Sequence, residues 1–132
     1  MKYLLDTNTC IYYINGKSQK LAQRFAYLSA GEAVVCSVVK AELFFGALPS
    51  QNPLQNLANQ RQFLSLFVSL PFEDNSANHY ADIRAELFTK GMPIGSNDFF
   101  IASIARANGL ILVTNNTREF SRVSHLQLED WL

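Results

Sequence analysis

Acidic residues in this chain stand where apolar, strand-like segments end. Asp6 closes KYLL, Glu42 follows VVCSVVKA, Asp98 opens NDFFIASIARA, and Asn116 and Glu119 come just after LILVT. In an open parallel α/β sheet, ligands bind outside the carboxyl ends of the strands, so these side chains would converge there. Clustered oxygen ligands suit a hard divalent cation. The spacing therefore predicts a metal-dependent site.

Asp6 and Asp98 also have a simpler interpretation at the starts of helices. Asp6 would cap the helix that contains CIYYI, because Asp is a favoured N-cap residue. Asp98 falls in a first helical turn, where the macrodipole stabilises a negative charge by about 0.3–1 kcal/mol. Capping explains single residues, but several carboxylates at one sheet edge repel one another unless a cation or a proton offsets the charge.

Glu42 lies in a segment that is apolar almost all round, with Lys40 the only other polar break between 38 and 48. Such a helix is expected to be buried, and an unpaired buried carboxylate is costly. Glu42 therefore needs a partner: a cation, an arginine or a backbone donor. A buried ion pair is the alternative to a metal site.

Asn116 and Glu119 have the spacing of a capping box, Asn-x-x-Glu, and we expect that local role for at least one of them. Thr114, Asn115 and Asn116 would also be able to hold a metal-bound water.

The elements that must position these residues alternate between strands and helices. Apolar runs and helical spacing predict strands at 2–5, 33–36, 68–72, 110–114 and 126–128, and helices at 10–14, 17–28, 38–48 with Ser37 as cap, 54–67, 75–90 and 96–108. Gly91 and Gly109 would end the last two helices. This alternation predicts an α/β fold with a parallel sheet covered on both faces.

Composition limits the class of protein. Eleven basic and eleven acidic residues balance, so the chain lacks the global positive field of a DNA-binding protein, although a local patch and a metal would still serve an RNA enzyme. The 132 residues predict one domain without a linker. No apolar run is long enough for a membrane span, and Asp6 interrupts any signal-peptide core, so we expect a cytoplasmic protein.

Other catalytic and metal motifs are missing from the sequence. Cys10 and Cys36 lack metal-type spacing and are expected to be free, packed thiols. His79 and His125 stand alone and are expected to be helix or surface residues. There is no GxSxG, GxxxxGK[ST] or HExxH, so serine hydrolase, P-loop and zincin chemistries have no support.

Four motifs together resemble one known family. YLLDTN, the AEL around Glu42, PIGSNDFFIA and VTNNTREF resemble the PIN-domain ribonucleases, and more closely the VapC toxins of bacterial toxin–antitoxin modules. The likeness continues through IRAEL at 83–87 and EDW at 129–131. It implies a single PIN domain over residues 1–132, built as a three-layer α/β/α sandwich with a central parallel sheet of four to five strands.

The resemblance also implies roles for individual residues. Asp6, Glu42 and Asp98 match the acidic cluster that binds magnesium or manganese. Asn116 stands where many PIN domains have a fourth acid, so this chain departs from the acidic pattern there, and Glu119 would supply the missing charge. The implied catalytic set is Asp6, Glu42, Asp98 and Asn116, and the implied metal set is Asp6, Glu42, Asp98 and Glu119.

The implied reaction is metal-dependent hydrolysis of an RNA phosphodiester, in which one or two divalent ions activate water and stabilise the leaving oxygen. Nearby hydroxyls and amides would orient the acids or contact phosphate: Thr7, Ser96, Thr114, Asn8 and Asn97. Basic residues that would contact the RNA backbone are Lys40, Arg84, Arg118 and Arg122.

The resemblance implies a substrate and partners as well. Similar VapC toxins cut structured RNAs, several of them tRNA in the anticodon stem-loop, and PIGSND and VTNNTREF favour initiator tRNA. A VapB antitoxin in the active-site groove, a homodimer, and repression of the operon through the DNA-binding part of VapB are also implied. Exposed aromatic residues around Phe44 and Phe45 would suit a partner-binding groove.

Two other interpretations remain at this stage. An aspartyl phosphatase would use Asp6 as nucleophile, but such enzymes usually carry a second Asp two residues later, where this chain has Asn8. A catalytically weak binding module would retain the acids as caps or remnants, and Asn116 is the best support for it.

Overall fold

Five short parallel strands form the centre of the protein in a computed structural model, which describes residues 1–132. The strands are β1 Tyr3–Leu5, β2 Ala33–Cys36, β3 Ser69–Leu70, β4 Ile111–Val113 and β5 Leu128–Glu129. The helices are α1 Thr7–Ile14, α2 Gln19–Ala26, α3 Ser37–Ala47, α4 Pro53–Leu64, α5 Asp74–Thr89, α6 Ser96–Ala107 and α7 Thr117–Phe120. None of the helices combines the length and the hydropathy that crossing a membrane requires.

The strand order β3-β2-β1-β4-β5 creates a switch point beside the central strand. From β1 the chain moves outward through β2 to β3, and α5 and α6 then carry it back to β4 on the other side of β1. Leu5, the last residue of β1, is in register with Val113, the last residue of β4. The residues that follow these two strands therefore enter the same crevice, which is where open α/β sheets bind ligands.

The core explains why these segments form strands and helices. All residues of β1 and β2 are buried, as expected for parallel strands covered on both faces. Helix α6 contributes its long apolar side to the same core, including Phe99, Ile101 and Ile104. Helix α5 ends where Gly91 adopts a φ of 65°, a left-handed conformation that favours glycine.

The predicted α/β class and parallel sheet are confirmed, with five strands. One local prediction was wrong, and two predicted strands are present with different bounds. Ser37 is the first residue of α3 rather than its cap; Cys36 is the N-cap and makes no side-chain capping bond. The third strand is limited to Ser69–Leu70, and the last strand is Leu128–Glu129 rather than 126–128. Short strands at the sheet edges lack a clear period in sequence.

Helix α3 is not buried all round, contrary to the prediction from its apolar sequence. Its buried residues form one stripe, Val39, Leu43 and Ala47, at a spacing of four residues. Phe45 is 74% exposed on the opposite side. The sequence could not distinguish a fully buried helix from one that presents apolar side chains to solvent, because both have the same composition.

Candidate active site

Asp6 anchors the site at the end of β1. Its side chain is only 5% exposed and accepts two hydrogen bonds, from the backbone N–H of Thr7 at 2.8 Å and from the hydroxyl of Thr114 at 2.7 Å. The predicted N-cap role is confirmed, because Asp6 caps α1. The bond from Thr114 is additional to that role and connects the ends of β1 and β4.

Glu42 approaches from α3 and is held by polar side chains of two other helices. The Thr7 hydroxyl donates to Glu42 Oε1 at 2.6 Å, and the Asn97 amide makes a long hydrogen bond of 3.5 Å to Glu42 Oε2. Glu42 is half-buried. Its protein partners are therefore a hydroxyl and an amide, and the expected alternative of a buried ion pair was wrong.

Asp98 lies in the first turn of α6, as the sequence predicts, and its position depends on the glycine that precedes the helix. A Cβ added at Gly95 would lie 3.1 Å from Asp98 Oδ2. Because that distance is shorter than ordinary van der Waals contact, a side chain at position 95 would require the Asp98 carboxylate to move by a few tenths of an ångström. Sequence reasoning did not identify Gly95; its signal was a glycine directly before a helix with an acid three residues later.

Asn116 and Glu119 interact, but they do not form the predicted capping box. Asn116 is the N-cap of α7 without a side-chain capping bond. Its Nδ2 instead donates to Glu119 Oε2 at 3.0 Å, while its backbone N–H donates to the Thr114 hydroxyl at 3.0 Å. The Thr114 hydroxyl thus accepts from Asn116 and donates to Asp6, which connects the last motif to the first.

The carboxylates are electrostatically coupled. Burial raises the pKa of Asp98 to about 6, with further contributions from the charges of Asp6, Glu42 and Glu119. Burial also raises the pKa of Asp6, against the lowering effect of the bonds from Thr114 and Thr7, and Glu42 raises it further. Four negative charges thus act on one another at the carboxyl edge of the sheet.

Basic side chains do not neutralise this acidic cluster, defined as Asp6, Glu42, Asp98 and Glu119. The only salt bridge in the chain joins Lys90 to Glu86 on α5. Carboxylate oxygens with hydroxyl and amide groups nearby are the donor set that hard divalent cations prefer, so the chemistry of the cluster fits such an ion. No three Asp, Glu, His or Cys side chains are close enough to form a ready-made metal site by themselves.

The remaining polar and basic residues named from the sequence differ in their contacts and exposure. Asn8 donates to Asn115 Oδ1 at 3.4 Å, and no side-chain hydrogen bond involves Ser96. Arg122 donates to the Pro93 carbonyl at 2.9 Å, and Arg84 lies over the rings of Tyr80 and Phe99. Lys40 is half-buried and Arg118 is exposed.

Histidine and cysteine do not contribute to the cluster. His125 is exposed, and His79 on α5 accepts a hydrogen bond from Arg106 Nε at 2.8 Å. Cys10 and Cys36 are free and buried, as predicted. Burial raises the pKa of both thiols, that of Cys36 to about 11, so neither offers a thiolate near neutral pH.

The PIN domain family matches this chain over residues 3–126. The chain is 46% identical over 131 residues to the tRNA(fMet)-specific endonuclease VapC of Shigella flexneri. The alignment covers 99% of this chain and 98% of the relative. It is 44% identical over 132 residues to Ribonuclease VapC2 of Haemophilus influenzae, covering 100% of this chain and 99% of the relative.

Solved structures with the same fold include the DNA-bound VapBC of Salmonella typhimurium, which matches with a TM-score of 0.94 and 41% sequence identity. The match covers 100% of this chain and 99% of the Salmonella chain. VapBC2 of Rickettsia felis, bound to a promoter DNA fragment, has a TM-score of 0.93, 37% identity and full coverage of both chains. Nucleases with a PIN domain generally need a divalent metal ion. The chain belongs to the PIN-domain family, and within it to the VapC ribonucleases.

Proposed function

We propose that this protein is a magnesium-dependent endoribonuclease toxin that cuts tRNA and thereby inhibits translation, with manganese as a possible substitute for magnesium. The observation that carries the proposal is the acidic cluster at the switch point, which is electrostatically coupled and has no basic partner in the chain. A divalent cation would offset that repulsion. The family membership adds that the reaction is RNA cleavage, which argues against the alternative that the protein is an aspartyl phosphatase.

Asp6, Glu42, Asp98 and Glu119 would hold the ion. When bound there, a divalent cation supplies a Lewis acid for the phosphate and a more acidic water. The buried Asp6 would be the best-ordered ligand, because Thr7 and Thr114 donate to both of its oxygens. Asn116 would act on the site through Glu119, whose Oε2 it contacts.

The polar neighbours would keep the carboxylates aimed at a common point. The Thr7 backbone N–H donates to Asp6 while the Thr7 hydroxyl donates to Glu42, so one residue aligns two acids. Such supporting hydrogen bonds fix ligand orientation, and their loss typically costs about 10–100-fold in metal affinity or activity. The exposed Arg118 and half-buried Lys40 are available for contacts with the RNA backbone.

The proposed substrate is initiator tRNA, cut in its anticodon stem-loop. The relative from Shigella flexneri, 46% identical over nearly the whole chain, is named as a tRNA(fMet)-specific endonuclease. Sequence-specific RNA recognition generally targets loops, where bases can be unstacked and read. An anticodon loop offers such bases at a defined position.

We also propose that the protein acts in the cytoplasm as one domain over residues 1–132, as a homodimer, together with a VapB-type antitoxin. Related VapC chains occur in VapBC complexes, two of them bound to DNA. In this proposal the antitoxin occupies the active-site groove and provides the contacts to operator DNA. The exposed Phe45 of α3 and Leu48, which follows that helix, offer an apolar surface for one of these protein contacts.

The direct test of the substrate is incubation of purified, antitoxin-free protein with total bacterial RNA, followed by mapping of new 5′ ends. Parallel samples contain magnesium, manganese or EDTA. We expect one discrete cut in the anticodon stem-loop of initiator tRNA in both metals and none in EDTA. Cuts spread over ribosomal and messenger RNA would refute the substrate, and cutting in EDTA would refute the metal dependence.

A further inference from the structure

Charged residues are distributed unevenly over the helices that border the acidic cluster. The α3–α4 hairpin, residues 37–64, contains the basic residues Lys40 and Arg61, and its only acidic residue is Glu42 of the cluster. Helix α5 has the opposite balance, with one basic residue, Arg84, and several acidic ones: Asp74, Asp82 and Glu86. A polyanion that extends away from the cluster is therefore repelled along α5 and attracted along the hairpin.

The remaining polar surface of the hairpin also suits a phosphate backbone. No Asp or Glu occurs between Glu42 and Glu73. Exposed amide side chains are frequent there instead: Gln51, Asn52, Gln55, Asn59 and Gln62. Amides, together with arginine and lysine, are the side chains that commonly contact phosphate and sugar in nucleic-acid complexes. Beyond Glu42, the hairpin therefore offers phosphate donors without a carboxylate that would repel the phosphate.

Most basic side chains are already engaged within the chain. Hydrogen bonds to other protein groups are donated by Lys20, Arg24, Arg84, Lys90, Arg106 and Arg122. No such bond and no salt bridge involves Lys40, Arg61 or Arg118, and the same holds for Lys2 and Lys17. Lys2 precedes β1 at the amino end of the sheet, and Lys17 lies beyond the far end of α1. The unengaged cations on elements that border the cluster are therefore Lys40, Arg61 and Arg118.

These cations flank Asp6 along the carboxyl edge of the sheet. In the strand order β2-β1-β4, the central strand leads directly to Asp6. Strand β2 leads to α3, where Lys40 lies within about one turn of the start, and β4 leads to α7, which contains Arg118. Neighbouring strands lie about 4.8 Å apart, so β2 and β4 are separated by about 10 Å. An RNA strand that contacts both sides must therefore pass over Asp6.

Arg61 is ordered by an aromatic contact and is not neutralised. Its guanidinium lies over the ring of Phe44, 4.5 Å from the centroid, and the residue is exposed. Phe44 follows Lys40 by four residues and shares its face of α3. Lys40, Phe44 and Arg61 thus form one surface, which we call the hairpin patch. A guanidinium that stacks on a ring by one face keeps its N–H groups free for a bidentate contact with phosphate.

We propose that the RNA backbone crosses the acidic cluster between Arg118 on one side and the hairpin patch on the other, so that the strand flanking the cut lies along α3 and α4 and not along α5. The inference rests on the proposed endoribonuclease function and adds the direction in which the substrate lies. The patch holds backbone and does not read bases, because contacts to phosphate carry no direct sequence information.

The test measures tRNA binding against salt concentration at constant magnesium, in Asp98→Asn protein so that the bound tRNA stays intact. Between about 50 and 200 mM salt, each lost phosphate contact should reduce the slope of log affinity against log salt by about 0.7–0.9. We expect this reduction for Lys40→Gln, Arg61→Gln and Arg118→Gln, and about twice as much when Lys40→Gln and Arg61→Gln are combined. Arg61→Lys, which keeps the charge, should keep the slope.

Variants on α5 provide the matched controls. Lys90→Gln removes the same charge from an exposed position there and should leave the slope unchanged. Gln62→Glu adds a carboxylate at an exposed position of the hairpin and should weaken tRNA binding, whereas Asp82→Asn on α5 should have no effect. In protein with Asp98 intact, the Lys40→Gln, Arg61→Gln pair should raise KM for tRNA and leave kcat unchanged, because backbone contacts bind substrate and transition state alike.

An unchanged slope in the Lys40→Gln, Arg61→Gln pair would overturn the inference, and so would an equal reduction by Lys90→Gln. Weaker antitoxin binding by the pair with unchanged tRNA binding would assign the hairpin patch to the protein partner and would also overturn it. Failure of the proposed function is a separate result: the wild type would then leave tRNA uncut in magnesium, and the inference would fall with it.

Discussion

The hydroxyl of Thr114 donates a 2.7 Å hydrogen bond to Oδ2 of Asp6, across 108 positions of sequence. Thr114 follows β4 and Asp6 follows β1, the two strands on either side of the switch point. Both side chains are buried. The position of the Asp6 carboxylate, the most buried in the chain, therefore depends on the pairing of β1 with β4.

Thr114→Val tests that link. Valine keeps the shape of threonine but removes the hydroxyl, so the buried Asp6 carboxylate loses a charge-assisted bond worth about 1.5–3 kcal/mol and the Asn116 N–H loses its acceptor. We expect the free energy of unfolding near neutral pH to fall by about that amount in metal-free protein, measured by urea denaturation. Thr114→Ser should recover most of it, and Thr117→Val, at an exposed position, is the control. An unchanged stability would show that the bond contributes little.

Gly95→Ala should weaken metal binding without removing any ligand. The added Cβ would lie 3.1 Å from Asp98 Oδ2, so the carboxylate would have to move by a few tenths of an ångström from its present orientation. We expect the magnesium affinity, measured by calorimetry, to fall about 10–100-fold, the range typical for lost ligand orientation.

Gly31→Ala provides the matched control for Gly95→Ala. Gly31 has a φ of 78° and no atom within 4 Å of an added Cβ, so alanine there introduces backbone strain away from the site. It should lower the melting temperature but leave the magnesium affinity unchanged. Equal metal affinity in the two variants would mean that Gly95 does not position Asp98.

Asp98→Asn should stabilise the metal-free protein in a pH-dependent way. The folded-state pKa of Asp98 is raised from 3.8 to about 6, so its contribution to stability is present below about pH 4 and is lost as the pH rises through about 6. In EDTA, the variant should therefore melt above the wild type at pH 7.5, and the difference should shrink at about pH 4.

Asp82→Asn, on an exposed position of α5, controls for the loss of one carboxylate. Saturating magnesium should reverse the order, because a ligand that binds the folded wild type stabilises it. A difference between Asp98→Asn and the wild type that is the same at every pH would contradict the raised pKa.

Glu119 and Asn116 should differ in their effect on metal affinity. Glu119 supplies charge that acts on Asp98, whereas Asn116 donates to Glu119 and carries no charge. We expect Glu119→Gln to lower the magnesium affinity more than Asn116→Ala does, with calorimetry as the measurement. Glu73→Gln, at an exposed position before α5, is the control. The reverse order would make Asn116 the fourth ligand.

The sequence predicted the sheet and the acidic residues because both leave local signals. Apolar runs that end in Asp6 or just before Asn116 mark buried strands and their carboxyl ends, and the resemblance of four ordered motifs supplied the family. The bond between Thr114 and Asp6 left no such signal, because it depends on the register of two strands that are far apart in the chain.

One error in prediction concerns which side of a helix faces solvent. The composition of α3 predicted burial on all sides, but Phe45 and Leu48 are exposed. The tertiary neighbours of α3 decide this, and they cannot be inferred from its own residues. The sequence also did not indicate that Gln60 has a buried Oε1 without a hydrogen-bond partner, since a glutamine in an amphipathic segment usually faces water.

The central claim is that the acidic cluster cleaves RNA with a divalent cation, and one assay tests it most directly. Initiator tRNA is incubated with wild type, Asp98→Asn or Asp82→Asn, each in magnesium and in EDTA, and the cut is quantified by primer extension. We expect cleavage by the wild type and Asp82→Asn in magnesium only, and none by Asp98→Asn. Cleavage by Asp98→Asn at the wild-type rate, or no cleavage by the wild type in any metal, would contradict the claim, and the second result would favour a binding module.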